Sequence, residues 1–226
     1  MKTYRLNSVM AGAFYFLGTI MGIFSIVVAG QFNAGEVSVN LGADPSRLTL
    51  GAFFIMLMGI LLPAMTVFLY PLFRKDSEEL AMGMVVFRGA LEGAAYIIAA
   101  VLWVLLAALS KEFAGAGSAS LQAVGNLVLA VSNKNGDIGT VFFIIGAVCL
   151  YTSFYRTRLI PRWLTLWGFV GAVPYVVYGL LSLFDIGGAG LGFLTLPLFV
   201  QELAMGLWLV IKGFNLDALR KLEDAH

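Results

Sequence analysis

Histidine and cysteine are almost absent from this chain of 226 residues. The one histidine is His226, and the one cysteine, Cys149, lies in an apolar stretch. These counts exclude an intrachain disulfide and a cysteine-based metal site. They also remove the side chain that most often serves in acid–base catalysis, proton relay and metal ligation. The sequence has no glycine-rich phosphate loop, no H-E-x-x-H and no G-x-S-x-G motif, so we expect no cofactor and no metal.

Charged residues are also scarce. They make up 12% of the chain, whereas 60% of it is apolar. A soluble domain has about 45–50% apolar and about 25% charged residues. With a mean hydropathy of +0.92, the chain is expected to use the lipid bilayer as its solvent. No long basic run indicates nucleic-acid binding.

Six apolar stretches approach or exceed the roughly 20 residues that a bilayer-spanning helix needs. They cover about 9–30, 48–73, 80–109, 138–155, 159–184 and 191–211. We therefore predict an all-α fold, a polytopic bundle of six transmembrane helices that forms a single domain over residues 1–226. The first stretch exceeds the usual 7–15 residues of a signal-peptide core, so we expect it to be retained.

Lysine and arginine are distributed unequally between the two sides of this six-span arrangement. One side carries ten of them and the other three, which are Arg47, Lys111 and Lys134. Because cytoplasmic loops are enriched in these residues, we predict cytoplasmic N and C termini. The ten are Lys2, Arg5, Arg74, Lys75, Arg156, Arg158, Arg162, Lys212, Arg220 and Lys221.

Two longer connections, 31–47 and 112–137, are predicted on the outer side. The second contains a segment, 119–133, in which apolar residues recur at helical spacing: Leu121, Val124, Leu127, Val128 and Val131. This segment is too short to span a bilayer. An interfacial amphipathic helix, a lid and a loop helix packed on the bundle all remain open.

Three charged residues lie well inside predicted spans: Arg88 and Glu92 in the third, and Glu202 in the sixth. At 1.5 Å per residue, Glu92 is about 18 Å from the cytoplasmic end of its predicted span and Glu202 about 17 Å from the outer end of its own, so both lie close to the bilayer midplane. Arg88, Glu92 and Tyr96 are spaced by four and therefore share one face of a helix. Because a charge at this depth is costly, we expect all three charges to face the bundle interior and meet.

One arginine and two glutamates leave an excess negative charge. Either one carboxyl group is protonated, or a cation, a ligand or several hydroxyl groups complete the cluster. Buried ionisable groups in membranes are functional by default, which favours a binding site for a ligand, an ion or a proton. The alternative is a structural lock, in which Arg88 holds two helices together and the second glutamate is hydrogen-bonded.

Three prolines, Pro63, Pro174 and Pro197, fall inside predicted spans 2, 5 and 6, where each removes a helix hydrogen bond. A kink at Pro197 would open space beside Glu202. Residues that could line such a cavity are Tyr175, Tyr178 and Gln201.

The sequence resembles the DUF4386 family of bacterial membrane proteins, a domain of unknown function. The resemblance rests on Arg5-Leu6 before a small-rich first span, Phe87-Arg88 followed by Glu92, the run YTSFYRTRLIPR at 151–162, and Glu202-Leu203-Ala204 leading to Lys212-Gly213. It implies a six-span protein of the bacterial cytoplasmic (inner) membrane. It implies no activity.

Three functional hypotheses follow. The first is small-ligand, ion or proton binding and transport by Arg88, Glu92 and Glu202. The second is a non-catalytic scaffold or partner subunit in which these charges form a lock. The third, which the lack of histidine disfavours, is a membrane enzyme acting on a lipid-like substrate with a glutamic acid as general acid. The oligomeric state stays open.

Overall fold

The computed structural model describes residues 2–29, 44–116, 118–186 and 189–224. Within these ranges the secondary structure is helical, without strands, and six helical segments are long and apolar enough to cross a membrane. The predicted all-α fold with six spans is therefore confirmed. Most of the predicted outer loop 31–47 falls outside the described residues, and its last residues begin the second helix.

Within the described ranges, eight α-helices, a π-helix and a 3₁₀ helix follow one another along the chain. They are α1 (Lys2–Ala29), α2 (Pro45–Phe73), α3 (Glu78–Gly83), the π-helix (Met84–Leu91), α4 (Glu92–Ala116), α5 (Ala119–Thr157), α6 (Arg162–Leu183), the 3₁₀ helix (Ala189–Thr195), α7 (Leu196–Ile211) and α8 (Leu216–Asp224). The third span is made jointly by α3, the π-helix and α4.

Short polar residues fix the beginnings of several helices. The Asp44 carboxylate accepts a hydrogen bond from the Ser46 amide at 2.9 Å, with Pro45 in the first turn of α2. The Ser77 hydroxyl accepts from the Leu80 amide at 3.2 Å and caps α3. Such caps satisfy amide groups that have no partner within the first turn.

The six spans form a closed ring. Each spanning helix packs on the next one along the chain, and α7 packs back on α1. Close packing at that closure depends on two glycines: a Cβ at Gly12 would lie 2.7 Å from the Gly206 carbonyl oxygen, and one at Gly206 would lie 3.2 Å from the Gly12 oxygen. Small residues at such crossings let helix backbones approach within van der Waals distance in a membrane.

The fourth span differs from the prediction. The segment 119–133 and the polar run that follows it form the first half of α5, which is one helix of 39 residues. Contacts with neighbouring helices keep this half helical: Asn135 donates to the Ala95 carbonyl at 2.8 Å, and the Lys134 ammonium donates to the Ser182 carbonyl at 2.8 Å. The prediction of a loop over 112–137 is therefore wrong in the described residues, since α4 extends to Ala116 and α5 begins at Ala119.

Pro197 lies inside the sixth span, Gly190–Ile211, as predicted. Within that span it occupies the first turn of α7, directly after the 3₁₀ helix. A proline in this position removes no α-helix hydrogen bond, because the first-turn amides have no partner in the helix. The hydrogen bond that Pro197 was expected to remove is therefore not lost from α7. Pro63 and Pro174 do lie inside α2 and α6.

Candidate functional site

Three charged side chains meet at the centre of the ring. Arg88 lies in the π-helix, Glu92 begins α4 and Glu202 lies in α7. The Arg88 guanidinium donates from Nη1 to Glu92 Oε1 and from Nη2 to Glu202 Oε1, the second bond at 2.6 Å. Arg88 and Glu92 are each 1% exposed and Glu202 is 8% exposed. One buried arginine thus joins carboxylates from two different spans.

Hydroxyl groups complete what we call the Arg88 cluster: Arg88, Glu92 and Glu202 with Tyr15, Thr19 and Tyr96. The Tyr96 hydroxyl donates to Glu92 Oε1 at 2.9 Å. From α1, the Tyr15 hydroxyl donates to Glu202 Oε1 at 2.9 Å and the Thr19 hydroxyl to Glu202 Oε2 at 3.4 Å. The first, third and sixth spans therefore all contribute polar atoms.

Arg88 occupies a locally widened helix. Residues Met84–Leu91 form a π-helix between two α-helical segments of the same span. Short π-helical insertions in α-helices are frequently found at functional sites. The insertion is packed tightly against α5, because a Cβ on Gly146 would overlap the Arg88 backbone, lying 2.8 Å from its Cα.

This packing gives a direct prediction for Gly146→Ala. We expect it to lower the free energy of unfolding by about 1–3 kcal/mol, the usual cost of overpacking a close contact. Gly136→Ala is the matched control, since it lies in the same helix with nothing within 4 Å of an added Cβ. That change should be neutral or stabilising by up to ~1 kcal/mol, as alanine favours helix over glycine. Unfolding in detergent micelles compares the two; equal effects would contradict the tight contact.

Aromatic rings enclose the guanidinium group. The Arg88 Cζ atom lies 4.4 Å from the Phe143 ring centroid and 5.5 Å from that of Tyr15. Tyr175 packs on Phe143 with their centroids 4.8 Å apart. Rings at these distances attract a cation through their π faces and partly replace its hydration.

Two polar atoms of the cluster have no hydrogen-bond partner although they are buried: Glu92 Oε2 and Arg88 Nε. The first is a free acceptor or protonation position, and the second is a free donor. An unsatisfied buried polar atom costs about 1–3 kcal/mol, so its presence calls for an explanation.

The residues predicted to line a cavity have different positions. Gln201 is fully buried; it accepts from the Tyr151 hydroxyl at 3.1 Å and donates to the Leu164 carbonyl at 3.1 Å. Tyr175 packs on Phe143, the ring that covers the Arg88 guanidinium. Tyr178 lies about one turn after Tyr175 along α6. Gln201 thus belongs to a network of its own beside Glu202.

The depth of the cluster follows from helix lengths. Tyr15 is ten residues after Arg5, and Glu202 is nine residues before the end of α7 at Ile211. At 1.5 Å per residue, these positions lie about 14–15 Å from that end of the bundle. In a hydrocarbon core of about 30 Å, this is the middle of the membrane.

Sequence reasoning missed Tyr15, Thr19 and Phe143 as members of this site. For Tyr15 and Thr19 the one sequence pattern that indicates a shared role is their spacing of four residues, which places them on one face of α1. Nothing in the sequence pairs that face with Glu202, 187 residues away from Tyr15.

Six apolar helices closed around a buried ionic cluster define a multi-pass integral membrane protein. Residues 10–213 match the family model described as Domain of unknown function (DUF4386), and the chain therefore belongs to that family. This confirms the resemblance found in the sequence. No curated protein and no solved structure matches the chain.

Proposed function

We propose that this chain is a transport-type protein of the bacterial inner membrane, with both termini in the cytoplasm, whose Arg88 cluster binds and releases one proton. The observation that carries the proposal is the buried Glu92 Oε2 atom, which has no hydrogen-bond partner. The orientation is supported by the ten lysines and arginines at one end against three at the other.

The charge count supports a proton. Arg88 contributes one positive charge, while Glu92 and Glu202 contribute two negative charges when both are ionised. An uncompensated charge at mid-membrane costs at least about 2.5–3.5 kcal/mol. One bound proton makes the cluster neutral, and its release would coincide with entry of a cation or movement of the helices.

The hydrogen bonds indicate which glutamate carries the proton. Both oxygens of Glu202 accept hydrogen bonds, Oε1 from Arg88 and Tyr15 and Oε2 from Thr19. In Glu92, Oε1 accepts from Arg88 and Tyr96, whereas Oε2 accepts none. Because donors to a carboxylate stabilise its ionised form, Glu202 is the ionised partner and Glu92 takes the proton.

Infrared spectroscopy tests this assignment in reconstituted bilayers. We expect pH-difference spectra to contain the carbonyl band of a protonated carboxylic acid, and we expect Glu92→Gln to abolish that band. Glu112→Gln, which changes an exposed glutamate, is the control and should retain it. A band that is missing from the natural chain, or unaffected by Glu92→Gln, would refute proton binding at Glu92.

A structural lock is the second candidate, because Arg88 directly bridges two spans. In that case the protonation state of the cluster never changes between pH values at which the protein is folded. The same spectra separate the two, since a lock gives a constant carbonyl band and a binding site gives one that follows pH.

A further inference from the structure

The surroundings of the Arg88 cluster differ toward the two ends of the bundle. Gly146 of α5 packs on Arg88 and marks the level of the cluster. Asp137 is nine residues before Gly146, and Phe154 is eight residues after it. Along α5 these positions are about 14 Å and 12 Å from the cluster, in opposite directions. We call the two directions the Asp137 side and the basic side, the latter ending at Arg156.

Fully buried apolar side chains close the basic side. Six of them, from α2, the π-helix, α5 and α7, are each 0% exposed, and we call them the apolar layer: Leu72, Phe73, Met84, Leu150, Phe154 and Leu209. The Phe73 and Phe154 rings meet edge to face with their centroids 4.8 Å apart. Close-packed aliphatic and aromatic groups leave a proton no hydrogen-bonded route.

Some polar groups do lie on the basic side, but their hydrogen bonds end on backbone carbonyls, and Thr165 Oγ1 is buried without a hydrogen-bond partner. Tyr151 donates to Gln201, and Gln201 donates to the Leu164 carbonyl in the first turn of α6. Beyond that carbonyl, Leu159 and Ile160 are buried, with exposures of 0% and 2%. The hydroxyls of Ser153 and Thr157 donate to carbonyls of their own helix, at 2.9 and 2.7 Å.

On the Asp137 side, hydroxyl groups follow one another from the cluster. Tyr96 donates to Glu92 at 2.9 Å, and Tyr175 on α6 packs on Phe143, the ring that covers the Arg88 guanidinium. Thr140 on α5 lies next on this side, and its hydroxyl donates to the Gly136 carbonyl at 3.3 Å. Thr140 fits closely against α6 because residue 179 is glycine: a Cβ there would lie 2.9 Å from Thr140 Cβ.

Asp137 lies beyond Thr140, near the end of α6. Its Oδ2 atom is buried and has no hydrogen-bond partner. Lys134 lies 3.8 Å from Asp137 Oδ2 and pairs with Asp185 at 2.6 Å. The Asp137 side chain is 11% exposed, whereas those of Lys134 and Asp185 are 37% and 84% exposed. Asp137 thus lies between the exposed charges of Lys134 and Asp185 and the buried hydroxyl groups that begin at Thr140.

We infer that Glu92 exchanges its proton only with the Asp137 side, through Asp137, Thr140, Tyr175 and Tyr96, while the apolar layer blocks the basic side. This inference rests on the proposed proton binding by Glu92. Asp137 takes up a proton and passes it on; each hydroxyl group then accepts one proton and donates its own to the next oxygen, and the Tyr96 proton passes to the Glu92 carboxylate, to which Tyr96 is hydrogen-bonded. With the proposed orientation, access is from the non-cytoplasmic face of the membrane.

A one-sided pH jump tests the inference. The full chain is captured by a C-terminal tag in a supported bilayer, so that every molecule has the same orientation, and the Glu92 carbonyl band is followed in time. We expect rapid change after a jump on the Asp137 side. After a jump on the basic side, the Glu92 carbonyl band should change only as fast as protons leak across the membrane.

Substitutions identify the route. We expect Asp137→Asn and Tyr175→Phe each to slow proton uptake by ~10-fold or more, as a positioned proton-transfer group commonly contributes at least this much. Tyr151→Phe, which removes a buried hydroxyl on the basic side, should leave the rate unchanged. The variants should retain the unfolding midpoint and the final amplitude of the band.

The outcomes separate the two proposals. Equal rates from both sides, or slowing by Tyr151→Phe but not by Asp137→Asn, would overturn one-sided access while leaving proton binding intact. No pH-dependent Glu92 band at all would overturn proton binding itself.

Discussion

Arg88→Leu is expected to lower the free energy of unfolding by about 3–5 kcal/mol, because it leaves two buried carboxyl groups without their shared cation. Arg88 is 1% exposed and bonds to both Glu92 and Glu202. After the change, the remaining donors are the hydroxyls of Tyr96, Tyr15 and Thr19. Unfolding of the purified protein in a bilayer or bicelle, followed by tryptophan fluorescence, measures the loss.

Arg156→Leu is the matched control for this prediction. Arg156 also forms one ion pair, with Asp76 at 2.9 Å, but its side chain is 52% exposed. An exposed pair contributes about 0–1 kcal/mol, so its removal should be almost neutral. A similar loss for both arginines would mean that burial does not determine the effect.

A combined variant separates stability from function. Replacing Arg88, Glu92 and Glu202 together by apolar residues of similar size should cost less than Arg88→Leu alone. Buried ion triads are often replaced in this way at little or no cost, because their desolvation offsets their attraction. Such a variant would fold without the pH-dependent carboxyl band. Retention of the triad by the natural chain is then explained by binding rather than by stability.

Part of this site could be predicted from the sequence because it is local. Arg88, Glu92 and Tyr96 lie one turn apart on one helix, so their shared face follows from helix geometry. Glu202 could be placed at the same depth by counting residues along its span. Because a buried charge is costly unless it has partners, the third and sixth spans could then be predicted to lie side by side.

The π-helix could not be predicted, because it depends on contacts distant in sequence. The turn around Arg88 packs against the backbone of α5 where Gly146 lacks a side chain. Neither segment has a propensity signal for a π-helix. Tyr15 was missed for a related reason: an aromatic residue in an apolar span is usually packing, and only the ring closure of α1 on α7 brings it to Glu202.

The first half of α5 was predicted incorrectly because local signals there oppose the tertiary structure. Asn133 to Asp137 reads as a turn, since asparagine and glycine favour such conformations. In the fold, Lys134 donates to the last carbonyls of α6 and Asn135 donates to α4. These bonds stabilise the helix where propensity alone would interrupt it.

The two glutamates are expected to respond differently to the same substitution. Glu202→Gln should destabilise the protein by about 3–5 kcal/mol, because it removes the ionised partner of a buried arginine. Glu92→Gln should cost at most about 1 kcal/mol, since glutamine has the shape of a protonated glutamic acid and can still accept through its oxygen.

The bonding pattern is the reason for this difference. Glu202 accepts from Arg88 at 2.6 Å, from Tyr15 at 2.9 Å and from Thr19 at 3.4 Å. An amide at this position would direct its NH₂ group toward the guanidinium or toward hydroxyls that need an acceptor. At Glu92, the NH₂ group can replace the partnerless Oε2 atom.

Denaturation of both variants in the same detergent, at a pH where exposed carboxylates are ionised, gives the comparison. Equal losses for the two would mean that both carboxyl groups are ionised in the folded protein, and the excess charge would then have to be balanced by a bound cation rather than a proton.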